Sequence, residues 1–187
     1  MSERIRSFIA FDIADEEVLK RISNVQRALT NVGADLKLVE PKNIHATLRF
    51  LGEIPSVMVD KVYEEMKKIS FTPFEIELKG IGAFPNLTRL NVIWIGIIKG
   101  ANELSNIFNQ LEPKIRQLGF SPDTKGFSPH ITIARVKSGW NKAELVQQIM
   151  AMKDFEFGII RGDSLKLKRS VLTPRGPIYS TLNEVRP

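Results

Sequence analysis

Both histidines of the chain, His45 and His130, are followed two residues later by a threonine, Thr47 and Thr132. Successive side chains of a β-strand point to opposite faces, so each His-x-Thr pair would present an imidazole and a hydroxyl on one face of a strand. Apolar residues flank and separate the pairs, which is typical of strands with one buried face. The spacing predicts two strands that each carry a proton-transfer group beside a hydrogen-bond donor.

Two imidazoles and two hydroxyls facing one substrate suit the cleavage of a phosphodiester. A neutral imidazole takes the proton of an attacking water or hydroxyl, and a protonated imidazole gives a proton to the leaving oxygen. The unperturbed pKa of histidine, about 6.5, leaves both forms populated near neutral pH. The threonine hydroxyls would donate to the non-bridging phosphate oxygens, where negative charge builds. This reading competes with a purely structural role, because histidine and threonine also occur in strands as hydrogen-bonded or packing residues.

The sequence gives little support to metal or cofactor chemistry. The chain has no cysteine, and the two histidines lack an HExxH-type spacing, which leaves too few ligands even if Asp163 or Glu53 were recruited. No GxxxxGK[ST] or GxGxxG loop is present to hold a nucleotide, and no GxSxG marks an acyl hydrolase. We therefore expect neither a metal nor a cofactor.

Positive charge favours an anionic partner. The net charge is +6 and the pI is about 9.6, as expected for a nucleic-acid-binding protein or for a merely lysine-rich surface. Strict alternation places Arg49 on the face of His45 and Thr47, whereas Arg135 would fall on the face opposite His130 unless the strand twists or ends there. Lys168 lies in a run where lysine alternates with leucine, and is a further candidate substrate ligand.

Aromatic residues near the two strands are candidates for stacking on a base. Phe11 and Phe50 are the two that we place in the predicted substrate-binding set, and Phe127 is a third candidate. For each of them, packing in the core is the alternative.

The hydrophobic pattern predicts a single α+β domain that covers residues 1–187, with largely antiparallel sheet. It predicts strands at 4–12, 35–40, 44–52, 74–83, 89–98, 130–136, 155–172 and 177–184, and helices at about 15–29, 56–69, 101–118 and 142–152. Each His-x-Thr strand is followed by a helix, which indicates two related lobes. The longest apolar run, 92–98, is too short for a membrane span and no signal peptide is recognisable, so we expect a cytoplasmic protein without membrane association.

Six sequence blocks, in order along the chain, resemble the two-histidine (2H) phosphoesterase superfamily. Within it, the chain is similar to the bacterial and archaeal RNA 2′,3′-cyclic phosphodiesterases, also called 2′-5′ RNA ligases. The run from His45 to Glu53 resembles the family's HxTLxFLGE, and residues 129–135 resemble its PHxTxxR. The other blocks are a first strand at 6–12, a GxFP segment at 82–85, a VxWxG segment at 92–96 and an SxLTPxGPxY segment at 170–179.

The resemblance implies two pseudo-symmetric lobes, each an antiparallel sheet backed by helices, with a central cleft lined by the two His-x-Thr strands. It also implies that the terminal 2′,3′-cyclic phosphate of RNA is opened to a 2′-phosphomonoester without a metal ion. In this chain, His45 would protonate the leaving 3′ oxygen, His130 would activate water, and Thr47 and Thr132 would hold the phosphate. Arg135 matches the family's basic residue after the second motif. We expect the protein to act as a monomer on RNA.

Three other functions remain open at this point. The same acid–base pair could join a 2′,3′-cyclic phosphate to a 5′-hydroxyl, as a 2′-5′ RNA ligase. The basic surface could belong to a non-catalytic RNA-binding protein. The substrate could also be a small cyclic phosphate rather than RNA.

Overall fold

Nine strands and four α-helices make up residues 3–187, the part of the chain that the computed structural model describes. In chain order they are β1 (Arg4–Asp12), α1 (Glu16–Asn31), β2 (Leu36–Leu38), β3 (His45–Pro55), α2 (Ser56–Met66), β4 (Phe74–Pro85), β5 (Leu90–Lys99), α3 (Ala101–Gln117), β6 (His130–Val136), α4 (Lys142–Ala151), β7 (Glu156–Gly162), β8 (Leu165–Thr173) and β9 (Gly176–Val185). A single 3₁₀ turn, Pro41–Asn43, precedes β3.

The strands form two antiparallel sheets, which confirms the predicted α+β class. The four-stranded sheet has the order β3-β1-β8-β9, and the five-stranded sheet has the order β2-β6-β5-β4-β7. Helices α2 and α3 contact β3 of the first sheet, while α1 and α4 contact strands of the second. None of the helices described within residues 3–187 is long and apolar enough to cross a membrane.

The two halves of the chain repeat one arrangement around the histidines. In the first half, β3 pairs with β1, and in the second half, β6 pairs with β5. Each His-x-Thr strand thus lies beside the strand that precedes the first helix of its half, and α2 or α4 follows it along the chain. The helix after each His-x-Thr strand is what the sequence repeat predicts.

Helix α1 illustrates how local sequence determines an element. The Asp15 side chain accepts a hydrogen bond from the backbone N–H of Val18 at 2.9 Å, which satisfies a donor that the first helical turn leaves free. Val18, Ile22, Val25 and Leu29 follow at helical spacing and are all buried. The cap and the apolar stripe together explain why the sequence prediction for this helix is confirmed.

The single bent strand predicted at 155–172 is wrong. The segment forms two strands, and the chain leaves the five-stranded sheet at the end of β7 and enters the four-stranded sheet at β8. Gly162 closes β7 where a side chain would lie 2.8 Å from the ring of Phe74. Both strands are apolar and β-rich, so the pattern alone does not reveal the change of sheet.

A β-bulge in β3 reverses the alternation that the sequence suggests. Thr47 stands opposite Ala10 and Arg49 stands opposite Ile9, so Leu48 is an extra residue in β3. Residues directly opposite each other share a face. Arg49 therefore points to the buried side with Ile9, and the predicted shared face of Arg49 with His45 and Thr47 is wrong.

A matching bulge occurs in β6. Thr132 stands opposite Trp94 and Ala134 stands opposite Ile93, which leaves Ile133 as the extra residue. Arg135, opposite Val92, consequently shares the face of Thr132. Strict alternation places Arg135 on the other face, and the bulge is the physical reason why that expectation is wrong.

The buried Arg49 joins β3 to the segment that leads to His130. Its Nε donates to Glu112 of α3 at 2.7 Å, and one terminal nitrogen donates to the carbonyl of Ser121 at 2.5 Å. Glu112 also accepts from the backbone N–H of Asp123 at 2.9 Å. Burial acts to raise the pKa of Glu112, but these donors outweigh it and hold that pKa below its ordinary value.

We expect Arg49→Met to lower the free energy of unfolding by about 2–3 kcal/mol, because it leaves the Glu112 carboxylate largely buried without its cation. Urea denaturation measures the change. The double variant Arg49→Met/Glu112→Gln should recover part of the loss, and Lys67→Met, at an exposed pair with Glu64, should leave the midpoint unchanged. An unchanged midpoint in Arg49→Met would contradict this assignment.

Candidate active site

His45 is the first residue of β3 and is oriented by one hydrogen bond. Its Nδ1 lies 2.7 Å from the backbone carbonyl oxygen of Asn43. A carbonyl oxygen only accepts, so Nδ1 carries the proton and donates it. This leaves Nε2 as the nitrogen that can exchange a proton with a substrate.

His130, the first residue of β6, has the same arrangement. Its Nδ1 lies 2.7 Å from the carbonyl oxygen of Ser128, again two residues before the histidine. The equivalent hydrogen bonds give both imidazoles the same tautomer when neutral, with Nε2 free. The two His-x-Thr elements are therefore alike in local geometry as well as in sequence.

Strands β3 and β6 belong to different sheets but lie next to each other, with Cα atoms within 8 Å. A positive charge on His130 acts to lower the pKa of His45. We call the two surfaces that carry these imidazoles the histidine faces. Members on the four-stranded sheet include Phe8, Asp12, His45, Thr47, Phe50 and Lys168, and members on the five-stranded sheet include Trp94, His130, Thr132 and Arg135.

The ring of His45 packs against two aromatic rings that also contact each other. Its centroid is 4.8 Å from that of Phe8 and 5.4 Å from that of Tyr179 on β9. Burial among these rings lowers the pKa of His45, because the charged imidazolium loses solvation. The carbonyl of Asn43 and the carboxylate of Asp12 act in the opposite direction without restoring the ordinary value.

Asp12 stands opposite His45 and is held by two lysines of β8. Its Oδ2 accepts from Lys168 Nζ at 2.9 Å and from Lys166 Nζ at 3.0 Å. Burial acts to raise the pKa of Asp12, but the lysines outweigh it and keep that pKa below its ordinary value. Lys168 is only 8% exposed and also donates to Thr181 at 3.2 Å. The cluster therefore places the negative charge of Asp12 and the positive charges of Lys166 and Lys168 near His45.

His130 has different neighbours. Its ring lies edge-on to Phe84, with centroids 4.9 Å apart, and Phe84 packs on Trp94 at 5.2 Å. The residue opposite His130 is Gly96, which places no charged group there. The two imidazoles thus share a backbone frame but not an environment.

The predicted substrate ligands include both buried and exposed residues. Phe11 is 2% exposed and packs edge-on against two core rings, so the prediction that it stacks on a base is wrong. Arg49 has its guanidinium engaged by Glu112 and Ser121. Phe50, by contrast, is 64% exposed beside Phe8.

Arg135 and Lys168 both lie on histidine faces but differ in availability. Arg135 is exposed and has no ion-pair partner among the residues that the structure describes. Lys168 is buried and occupied by Asp12 and Thr181. Its position indicates an electrostatic effect on His45 rather than a direct contact with substrate.

Three neighbours of His45 are missed by sequence reasoning: Phe8, Asp12 and Tyr179. Phe8 and Asp12 follow from the register of β1, in which the even-numbered positions share the face of His45. Tyr179 lies on β9, which β1 and β8 separate from β3 in the sheet, and its ring nevertheless contacts His45. Only the first-strand and SxLTPxGPxY blocks of the resemblance hold a signal for them.

The region around His45 contains a cavity but no cluster of metal ligands among the described residues. Within residues 3–187, no group of three or more His, Asp or Glu side chains is arranged to hold a metal ion. A cavity of about 450 Å³ lies beside Asp12 and Lys166 and extends to Arg161 and Arg186, but neither histidine lines it. Both imidazoles therefore lie outside this cavity, at the starts of β3 and β6.

Comparison with known proteins adds an independent observation. The family model for LigT-like phosphoesterases matches residues 13–94 and 95–179, with one His-x-Thr element in each segment. The RNA 2′,3′-cyclic phosphodiesterase of Aeropyrum pernix is 40% identical over 166 residues, which cover 89% of this chain and 94% of that protein. The enzyme of the same name from Archaeoglobus fulgidus is 36% identical, over 95% of this chain and 98% of the relative. Among solved structures, TT0787 of Thermus thermophilus superposes with a TM-score of 0.81 at 26% identity, over 97% of both chains.

The chain has only two histidines, so an NMR titration of the imidazole C–H signals can follow each of them, with His130→Ala for assignment. We expect the pKa of His45 to lie below the ordinary value of about 6.5 because of its burial. Asp12→Asn removes a charge that favours the imidazolium and should lower the pKa of His45 further. Lys168→Met removes an opposing positive charge and should raise it.

The control for this titration is Lys99→Met, at an exposed pair with Glu75, which should leave the pKa of His45 unchanged. A His45 signal that titrates at or above the ordinary value would contradict the effect of burial. A signal that moves upward in Asp12→Asn would show that the charge cluster does not act as described.

Proposed function

The chain belongs to the LigT-like phosphoesterase family, and we propose that it hydrolyses the 2′,3′-cyclic phosphate at RNA ends to a 2′-phosphomonoester. The observation that carries the proposal is the pair of imidazoles with equivalent Nδ1 hydrogen bonds, on two strands of different sheets whose Cα atoms come within 8 Å of each other. Relatives that match nearly the whole chain are named for this reaction, which supports the choice of substrate.

The proposed reaction needs two proton transfers. Nε2 of His130 takes a proton from water as the water oxygen bonds to phosphorus. The bond from phosphorus to the 3′ oxygen breaks, and Nε2 of His45 gives its proton to that oxygen. The product has a 2′-phosphate and a 3′-hydroxyl, and exchange with solvent returns both imidazoles to their starting states. Because the imidazoles supply both transfers, turnover should persist in the presence of EDTA.

The neighbouring polar groups would bind the phosphate. Thr47 and Thr132 share the faces of the imidazoles and can donate to non-bridging oxygens, where charge grows in the transition state. Arg135 adds a positive charge on the face of His130 with no ion pair to break among the described residues. Phe50 offers an exposed ring on the face of His45 for stacking on a base.

The lowered pKa of His45 is compatible with its proposed role as the acid. In the free protein, burial favours the neutral imidazole. The bound cyclic phosphate carries a negative charge, and an anion within a few ångströms favours the imidazolium. Substrate binding would therefore promote the protonated form of His45 that protonates the leaving oxygen.

We expect His130→Ala to reduce kcat for a 2′,3′-cyclic phosphate oligonucleotide at least a hundredfold, because no other described side chain takes the place of its Nε2. Product formation by chromatography measures the loss, and an electrophoretic mobility assay should show RNA binding largely retained. If the unaltered protein binds RNA but turns over no cyclic phosphate, a non-catalytic RNA-binding role is correct instead.

The direction of the reaction has its own test. Ligation would use the same acid–base pair with a 5′-hydroxyl in place of water, since both reactions expel the 3′ oxygen. With a cyclic-phosphate oligonucleotide, we expect the 2′-phosphate product to form whether or not a 5′-hydroxyl strand is added, as resolved on a denaturing gel. Formation of joined product alone would show that the protein is a ligase.

A further inference from the structure

Arg6 lies on the histidine face of the four-stranded sheet and has no role in the reaction described above. It precedes Phe8 by two residues in β1, so it shares the face of Phe8 about 7 Å further along the strand. Its side chain is exposed and forms no ion pair with any residue in the described range 3–187. Arg169 on the neighbouring β8, in contrast, is paired with Glu3 at 3.1 Å. A free arginine beside the candidate site is available to bind an anion.

Tyr179 packs against His45 and lies in the field of Arg6. Its ring packs against both Phe8 and His45, with centroids 4.9 Å and 5.4 Å away. Burial raises the pKa of Tyr179, and the charges of Arg135 and Arg6 are the two that act against this rise. The phenol hydroxyl therefore lies in the field of one arginine from each sheet, and it makes no hydrogen bond to another described residue.

We propose that Arg6 and the Tyr179 hydroxyl, with charge from Arg135 across the sheets, bind the phosphodiester on the 5′ side of the terminal nucleotide. This inference rests on the proposed function, and it makes the preferred substrate an oligonucleotide end rather than a cyclic mononucleotide.

The chemistry of Arg6 and Tyr179 fits a phosphodiester. Guanidinium groups donate in a fork that matches two phosphate oxygens, and a phenol hydroxyl supplies one more donor. Arg6 lies about 7 Å along β1 from Phe8. A nucleotide that stacks on the exposed ring of Phe50 would therefore have its next phosphate within reach of Arg6. Glu53, opposite Arg6 on β3, is the carboxylate that opposes this binding. It forms no ion pair with Arg6, so Arg6 can turn to the substrate without breaking one.

The test compares kcat/KM for a nucleoside 2′,3′-cyclic phosphate, a dinucleotide with the same cyclic end, and that dinucleotide with an uncharged methylphosphonate linkage. In the unaltered protein, we expect the dinucleotide to exceed the mononucleotide about tenfold, and the methylphosphonate to lose this advantage. Arg6→Gln and Tyr179→Phe should each lower the ratio of dinucleotide to mononucleotide, whereas Arg6→Lys should retain part of it. Glu53→Gln should raise the ratio.

The matched control is Arg169→Gln, which removes an arginine of the adjacent strand from outside the proposed subsite and should leave the ratio unchanged. If neither cyclic phosphate is turned over, the proposed function fails. If both are turned over and the ratio is the same in Arg6→Gln, or the methylphosphonate is as good as the dinucleotide, the subsite is wrong and the proposed function stands.

Discussion

The bulges at Leu48 in β3 and Ile133 in β6 decide which side chains of the His-x-Thr strands can face a substrate. Without Leu48 and Ile133, simple alternation would point Arg49 toward the histidines and Arg135 away from them. The bulges exchange these roles, so that the buried arginine ties α3 and the loop before His130 to β3, while the exposed arginine lies with His130 and Thr132. Pairing of the strands, burial of the core and placement of charge all depend on this register.

The second constraint is the Nδ1–H···O=C hydrogen bond of each imidazole. A carbonyl two residues earlier in the chain accepts it, so the bond depends on local backbone alone and holds in either protonation state. Proton exchange is thereby confined to Nε2 in both residues. Electrostatics can then be adjusted by neighbours, as Asp12 and Lys168 do for His45, without altering which nitrogen reacts.

The sequence predicted most of the secondary structure because its apolar spacing and caps are strong, as in α1 with Asp15. It predicted the His-x-Thr faces because two-residue alternation is reliable within a short run. It failed at Arg49, since a bulge leaves no mark in the alternation of residue types. Phe11 shows a similar limit, because an aromatic residue one position away from a site residue can belong wholly to the core. Tyr179 lies beyond local pattern, because it reaches His45 only through the order of the strands.

The two histidines make equivalent backbone hydrogen bonds but have different neighbouring residues, which offers a physical basis for different roles. The residue opposite His45 is a carboxylate, whereas the residue opposite His130 is Gly96, where a side chain would lie 2.7 Å from the carbonyl oxygen of Lys79. This close approach admits only glycine at position 96, so the residue opposite His130 carries no charge. Asp12 favours the imidazolium at His45, and burial opposes it. The two histidines thus differ in their surroundings, one opposite a carboxylate and the other opposite a glycine, which supports the proposed roles of acid and base.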